Sequence, residues 1–206
     1  MLKSIVAELR HHIPFTAIGA VTGIIGVIII VAVGALPSVS GVSETVFYVL
    51  HPLHVVLSAG VTTAMYRKYT RGRIIPAILV GYLGSIGVAT LSDSVVPFIG
   101  ETLLNYNPEA HIGFIEEWQI VNPAAFLGIA LGFWMPHTRF PHAGHVLIST
   151  WASLFHIIMA IGETVEWIQF LPIFVFLFLA VWLPCCLSDI VFPLLFTKGK
   201  IPIEEV

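Results

Sequence analysis

Six stretches of this chain, at 13–35, 46–66, 74–99, 120–135, 142–161 and 168–197, are too long and too apolar to be left in water. A helix needs roughly 20 apolar residues to cross a hydrocarbon core about 30 Å thick, and in lipid each backbone polar group must find its partner within the protein. Apolar runs of that length, punctuated by Gly, Pro and charge, predict helices. The fourth is short and the sixth long. Only 10% of the residues are charged, against about a quarter in a soluble domain. The predicted fold is an all-α integral membrane protein, one transmembrane domain of six helices over residues 1–206, with the lipid bilayer as its surroundings.

Six crossings put residues before 13, the 67–73 loop, the 136–141 loop and residues after 197 on one side. All nine Lys and Arg fall there: Lys3, Arg10, Arg67, Lys68, Arg71, Arg73, Arg139, Lys198 and Lys200. The opposite side carries Glu44, Glu101, Glu109, Glu116, Glu117, Glu163 and Glu166. Positive charge stays with the cytoplasmic loops. The expectation is therefore a cell-membrane protein with both termini in the cytoplasm. The basic loop is accounted for as a topology signal, and a net charge of −3 gives no reason to expect nucleic acid.

Within this apolar chain "HPLHVVLS" at 51–58 returns as "HAGHVLIS" at 142–149, and "LSDSVVP" at 91–97 returns as "LSDIVFP" at 187–193. A fainter echo relates "PFTAIGA" at 14–20 to "PAAFLGI" at 123–129. The order of the three pairs predicts a duplicated three-helix unit, repeat one about 10–99 and repeat two about 118–197. Three crossings per unit invert the second copy, the inverted-topology arrangement found in many secondary transporters.

Each copy carries the same chemistry. His-x-x-His on a helix sets two imidazoles on one face. An Asp on the next helix completes a two-His, one-carboxylate set: His51, His54 and Asp93 toward the outside, His142, His145 and Asp189 toward the cytoplasm. Helix rise puts the three outer groups at one level and the three inner groups at another, separated by about 10 Å, as two stations on a path or one binuclear centre. Such ligands suit a divalent transition metal such as zinc, iron, manganese or nickel rather than magnesium or calcium. An ionised Asp in a bilayer needs compensation, which a cation or a proton supplies. Pro97 and Pro193 follow their Asp by four residues and remove the hydrogen bond to its carbonyl, as Pro52 does for Tyr48. Ser58, Ser149, Ser92 and Ser188 are placed to support the ligands.

Around these sets, His12 lies at the cytoplasmic start of the first helix, and Glu117 with Glu109, His111 and Glu116 outside; these are candidate funnels for cations. Cys185, one turn before Asp189, is a candidate soft ligand, though its counterpart is Ala89 and packing is the expected role. His156 is expected to pack, Trp118, Trp134 and Trp167 to anchor at the interfaces, and "FVFLFLAVW" at 174–182 to face lipid. Adjacent Cys185 and Cys186 point about 100° apart on a helix and are expected as thiols. No P-loop or dinucleotide fingerprint is present, so no nucleotide is expected. The leading expectation is binding and transport of a divalent transition-metal ion, in a chain small enough for a homodimer. An intramembrane metal-dependent hydrolase with Glu101 or Glu117 as base is the alternative, and a metal-free membrane subunit or proton path the third.

Overall fold

The computed structural model describes residues 2–70, 73–134, 139–162, 164–187 and 191–196, without the side chains of 2–9, 11, 12, 69, 139–143, 186 and 194. His142 and His12 are therefore described by backbone only, and Ser188 and Asp189 lie outside the described residues. Among those described there is no strand. The helices are α1 (Leu2–Ala32), α2 (Leu36–Tyr69), α3 (Ile74–Thr90), α4 (Val96–Leu103), α5 (Gly113–Glu116), α6 (Trp118–Trp134), α7 (Arg139–Ile161), α8 (Phe170–Cys186) and α9 (Phe192–Leu195). A π-helical segment, Leu91–Val95, joins α3 to α4, and a 3₁₀ turn, Trp167–Gln169, leads into α8.

Five helical stretches are long and apolar enough to cross a membrane: Ile13–Ala32, Leu36–Lys68, Ile74–Leu103, Gly144–Ile161 and Trp167–Cys185. The fourth expected span, α6, is shorter at 17 residues, about 25 Å of helix. The second span was expected from 46 and starts ten residues earlier. Gly34, at φ +72, ends α1 in a left-handed conformation that glycine adopts without strain. Pro37 then sits in the first turn of α2, where a missing N–H costs nothing. The serines ahead of residue 46 are absorbed: Ser43 Oγ donates to Val39 O at 2.7 Å, and Ser40 Oγ to Ile158 O at 3.3 Å.

Helix α2 is central, packed along α3, α6 and α7, while α1 packs against α7 and α8, and α7 against α8. The α2–α6 contact is close because α6 offers glycine. A Cβ on Gly128 would lie 2.1 Å from Val56 O, and one on Gly132 2.5 Å from Gly60 O. An apolar cluster, Ala20, Val27, Leu154, Ile158, Ile173 and Leu177, fills the α1–α7–α8 side. Trp118, Trp134 and Trp167 are exposed, as interfacial anchors would be. The Phe-rich run is not uniform lipid-facing bulk: Leu177, Ala180 and Val181 are buried, and Phe176 closes on Gly100 of α4, while Val175 and Leu179 face outward.

Helices α3 and α8 have the same 17-residue length, and each boundary of α8 lies 96 positions after that of α3, 170 against 74 and 186 against 90. The same displacement relates the π-helical turn starting at Leu91 to the π-type residue Leu187, and the start of α4 at Val96 to that of α9 at Phe192. Pro97 and Pro193 each occupy the second position of the following helix. A proline there has no N–H for the carbonyl four residues back, and before Pro97 the ladder widens instead, Val96 N–H donating to Leu91 O.

Candidate functional site

The π-helical turn presents Asp93 to α2 and α7. Asp93 is fully buried, and both imidazoles of the α2 pair turn Nδ1 to its Oδ2, His51 at 3.0 Å and His54 at 2.7 Å. Its Oδ1 accepts from Ser92 Oγ at 2.6 Å and from Ser149 Oγ, on α7, at 2.8 Å. A carboxylate has about four lone-pair positions, and here all four are used. Ser153 Oγ adds a bond to Ser92 O at 2.9 Å, holding α7 to the π-helical turn.

This network sets the tautomers. With Asp93 ionised, Oδ2 accepts from both rings, so each imidazole carries a proton on Nδ1 and turns Nε2 outward. The outward nitrogens diverge. His51 Nε2 lies under α5, where a Cβ on Gly113 would come within 2.7 Å of it. His54 Nε2 faces the other half of the protein: Cys185 Sγ of α8 is 4.0 Å away, and the His145 ring of α7 stacks parallel to that of His54 at 5.7 Å. One ligand atom from each of His54, His145 and Cys185 lies within 4.8 Å of the others, and all three residues are buried. Two imidazoles and a thiol in that span can hold one borderline ion.

The structure thus brings together residues that the sequence placed in two sets. His54 and Asp93 come from the outer set, His145 and Ser149 from the inner one, and the two meet at the α2–α7 crossing rather than at separate levels. His51 and His54 both turn Nδ1 to the same Asp93 carboxylate oxygen. Cys185, expected to pack, lies at the centre of the cluster, 3.7 Å from Ser149 Oγ. No signal short of the three-dimensional crossing distinguishes it, because Ala89 stands at the matching position, four residues before Asp93. Ser58 is fully buried one turn beyond His54. Glu117 lies at the α5–α6 junction, partly buried and outside the group gathered at Asp93.

Two further pairings escaped the sequence reading. His156 Nδ1 and Glu101 Oε1 are 2.7 Å apart and both side chains are buried. At α5, Glu116 accepts a bond from Tyr48 and another from the Ile112 amide, with His111 Nδ1 3.4 Å away. Burial opposes ionisation of Glu116, but these donors outweigh it and hold its carboxyl below the usual range. Burial, with the nearby Glu166, pushes the Tyr106 hydroxyl up to about 12.

No known protein family, curated protein or solved structure matches the chain in sequence or fold comparisons.

Proposed function

We propose that this protein is a six-span, inverted-repeat membrane protein that binds and translocates a divalent transition-metal ion at the centre formed by His54, His145 and Cys185. The observation that carries the proposal is the convergence of those three buried groups, with a carboxylate fixing the imidazole of one of them. A metal-ligating histidine ordinarily gives its other ring N–H to a carboxylate, which sets its tautomer and raises its basicity, and Asp93 stands in that relation to His54. A thiolate among the ligands favours zinc over manganese or magnesium. Of the two candidate bases for a hydrolase, Glu101 is engaged by His156 and Glu117 lies apart from the cluster.

The inverted repeat is supported by how contacts correspond. Residue 14 maps to 123, 54 to 145, and 74 to 170. Under those registers the approach of Gly128 to Ala59 becomes that of Gly19 to Thr150, and Gly132 against Thr63 becomes Gly23 against Leu154. The α2–α3 contact becomes α7–α8, and α2–α6 becomes α7–α1. His54 and His145, equivalent residues, stack on one another, as equivalents do beside a two-fold axis. A binding site at the interface of inverted halves is where alternating access requires it. The clustering of all Lys and Arg on one side supports cytoplasmic termini in a cell membrane.

Zinc uptake into liposomes containing the purified protein and a trapped zinc indicator tests this reading. Uptake that disappears in Cys185→Ala and His145→Ala supports transport. Bound zinc without uptake would restrict the protein to binding, and neither binding nor uptake would refute the proposal.

A further inference from the structure

Two more histidines are held in the way His54 is held. His156 of α7 turns Nδ1 to Glu101 Oε1 of α4 at 2.7 Å, and His111, between α4 and α5, has Nδ1 3.4 Å from Glu116 Oε2 of α5. In both, as in His54 with Asp93, a carboxylate oxygen faces Nδ1, and the ring atom left to coordinate an ion is Nε2.

The two rings share one place. Their centroids are 5.5 Å apart. Two imidazoles bound to one tetrahedral ion at about 2.0–2.1 Å have their centroids about 5 Å apart, so the spacing is that of two ligands to a single ion. His156 is 1% exposed, and its Nε2 has no hydrogen-bond partner among the described residues. An ion can occupy that buried nitrogen without displacing a bond already made. A carboxylate is at hand as well: Glu109 Oε2 lies 4.0 Å from His111 Nε2. Glu109 is 85% exposed and His111 15%, so the group opens to the surface. No Lys or Arg occurs between Arg73 and Arg139, so α4, α5, α6 and the segment joining α4 to α5 carry no cationic side chain to compete for these carboxylates.

We propose that His156, His111 and Glu109 form a second divalent-cation site, separate from the cluster of His54, His145 and Cys185. Two imidazoles and a carboxylate take a borderline ion such as zinc, without the added selectivity of a thiolate. Phe47, fully buried, meets the His156 ring at 5.3 Å and stacks on that of His51 at 5.2 Å, so an aromatic ring stands against both histidines. Among the described residues only the central cluster already has three ligand atoms within 4.8 Å of one another. In the second site the exposed Glu109 closes the shell as the ion arrives, which makes it the weaker of the two. The site does not rest on the transport reading, and within that reading it is a surface station where an ion is first captured.

Equilibrium dialysis of the full chain in lipid nanodiscs against zinc, with empty nanodiscs as blank and metal counted by elemental analysis, tests the proposal. The native protein is expected to bind two ions with separable affinities. His111→Gln should weaken the second ion by more than about tenfold and leave the first, since losing even the group that braces a ligand costs about that much. Cys185→Ser should do the reverse. His156→Gln should match His111→Gln, and if that buried substitution prevents folding, His111→Gln at its partly exposed position decides alone. Zinc binding identical in His111→Gln and the native protein would overturn the proposal. A zinc ion sensitive to His111→Gln, with none sensitive to Cys185→Ser, would uphold it while refuting the central cluster.

Discussion

Replacing Asp93 by Asn separates a ligand from a group that braces one. The amide can turn its oxygen toward the histidines and its NH₂ toward the Ser92 and Ser149 hydroxyls, which can accept. All four partners then keep a bond. Charge-assisted bonds worth about 1.5–3 kcal/mol each become neutral ones worth about 0.5–1.5. That loss is offset by no longer burying an ionised carboxylate, itself several kcal/mol. The variant should therefore fold. Its zinc affinity should fall by roughly 10–100-fold, the usual effect of losing the carboxylate behind a metal-bound histidine. This corresponds to about 1.4–2.7 kcal/mol of binding free energy. Asp93→Ala is different in kind: it strands two buried imidazole N–H groups at about 1–3 kcal/mol each, a large part of a typical folding free energy. Competition against a chromophoric zinc chelator, on protein first shown monodisperse, measures the affinities. Abolished binding in Asp93→Asn with normal binding in Cys185→Ser would refute this division of roles.

Cys185→Ser should weaken zinc binding by more than Asp93→Asn does in the same competition assay, because it removes a ligand and not its support. Gly128→Ala should destabilise by about 3 kcal/mol or more, since its Cβ would meet the Val56 carbonyl at 2.1 Å and backbone cannot yield as a side-chain tip can. Gly26→Ala, whose Cβ would find its nearest neighbour at 3.8 Å, should be neutral or stabilising by about 0.5–1 kcal/mol. Thermal unfolding in detergent reads both glycine variants. The depressed Glu116 carboxyl anchors the α5 segment over His51. That anchoring is fully present above about pH 4.3 and is lost as the pH falls through the lower folded-state value. Because Glu116 is 40% exposed, the anchoring is worth under about 1 kcal/mol. Amide hydrogen exchange at 110–116 should accelerate at low pH beyond the intrinsic trend, and Tyr48→Phe should show the faster exchange already at neutral pH.

The apolar runs, the His–Asp partnership and the pairing of Pro97 with the loosened helix at Asp93 were legible because each depends on local spacing. His51, His54 and Asp93 were placed at one level from helix rise alone, and their side chains meet there. What spacing cannot convey is how two helices cross. The meeting of His54 with His145, and of Ser149 with Asp93, depends on α2 and α7 passing each other at one depth. The expected start at 46 left 36–45, with Pro37 and three serines, outside the second helix. The first helical turn tolerates the proline, and serine hydroxyls bond back to helix carbonyls. His156 and Cys185 were assigned to packing because neither has a like counterpart in the other copy, a comparison that cannot detect a partner on a third helix.

The central claim is that His54, His145 and Cys185 hold one metal ion. X-ray absorption at the zinc edge, on protein purified with zinc, tests it most directly. The account predicts about one sulfur at about 2.3 Å and at least two nitrogens at about 2.0–2.1 Å, with the sulfur contribution absent in Cys185→Ser. A zinc shell of nitrogen and oxygen only, unchanged by that substitution, or a protein that retains no zinc, would contradict it.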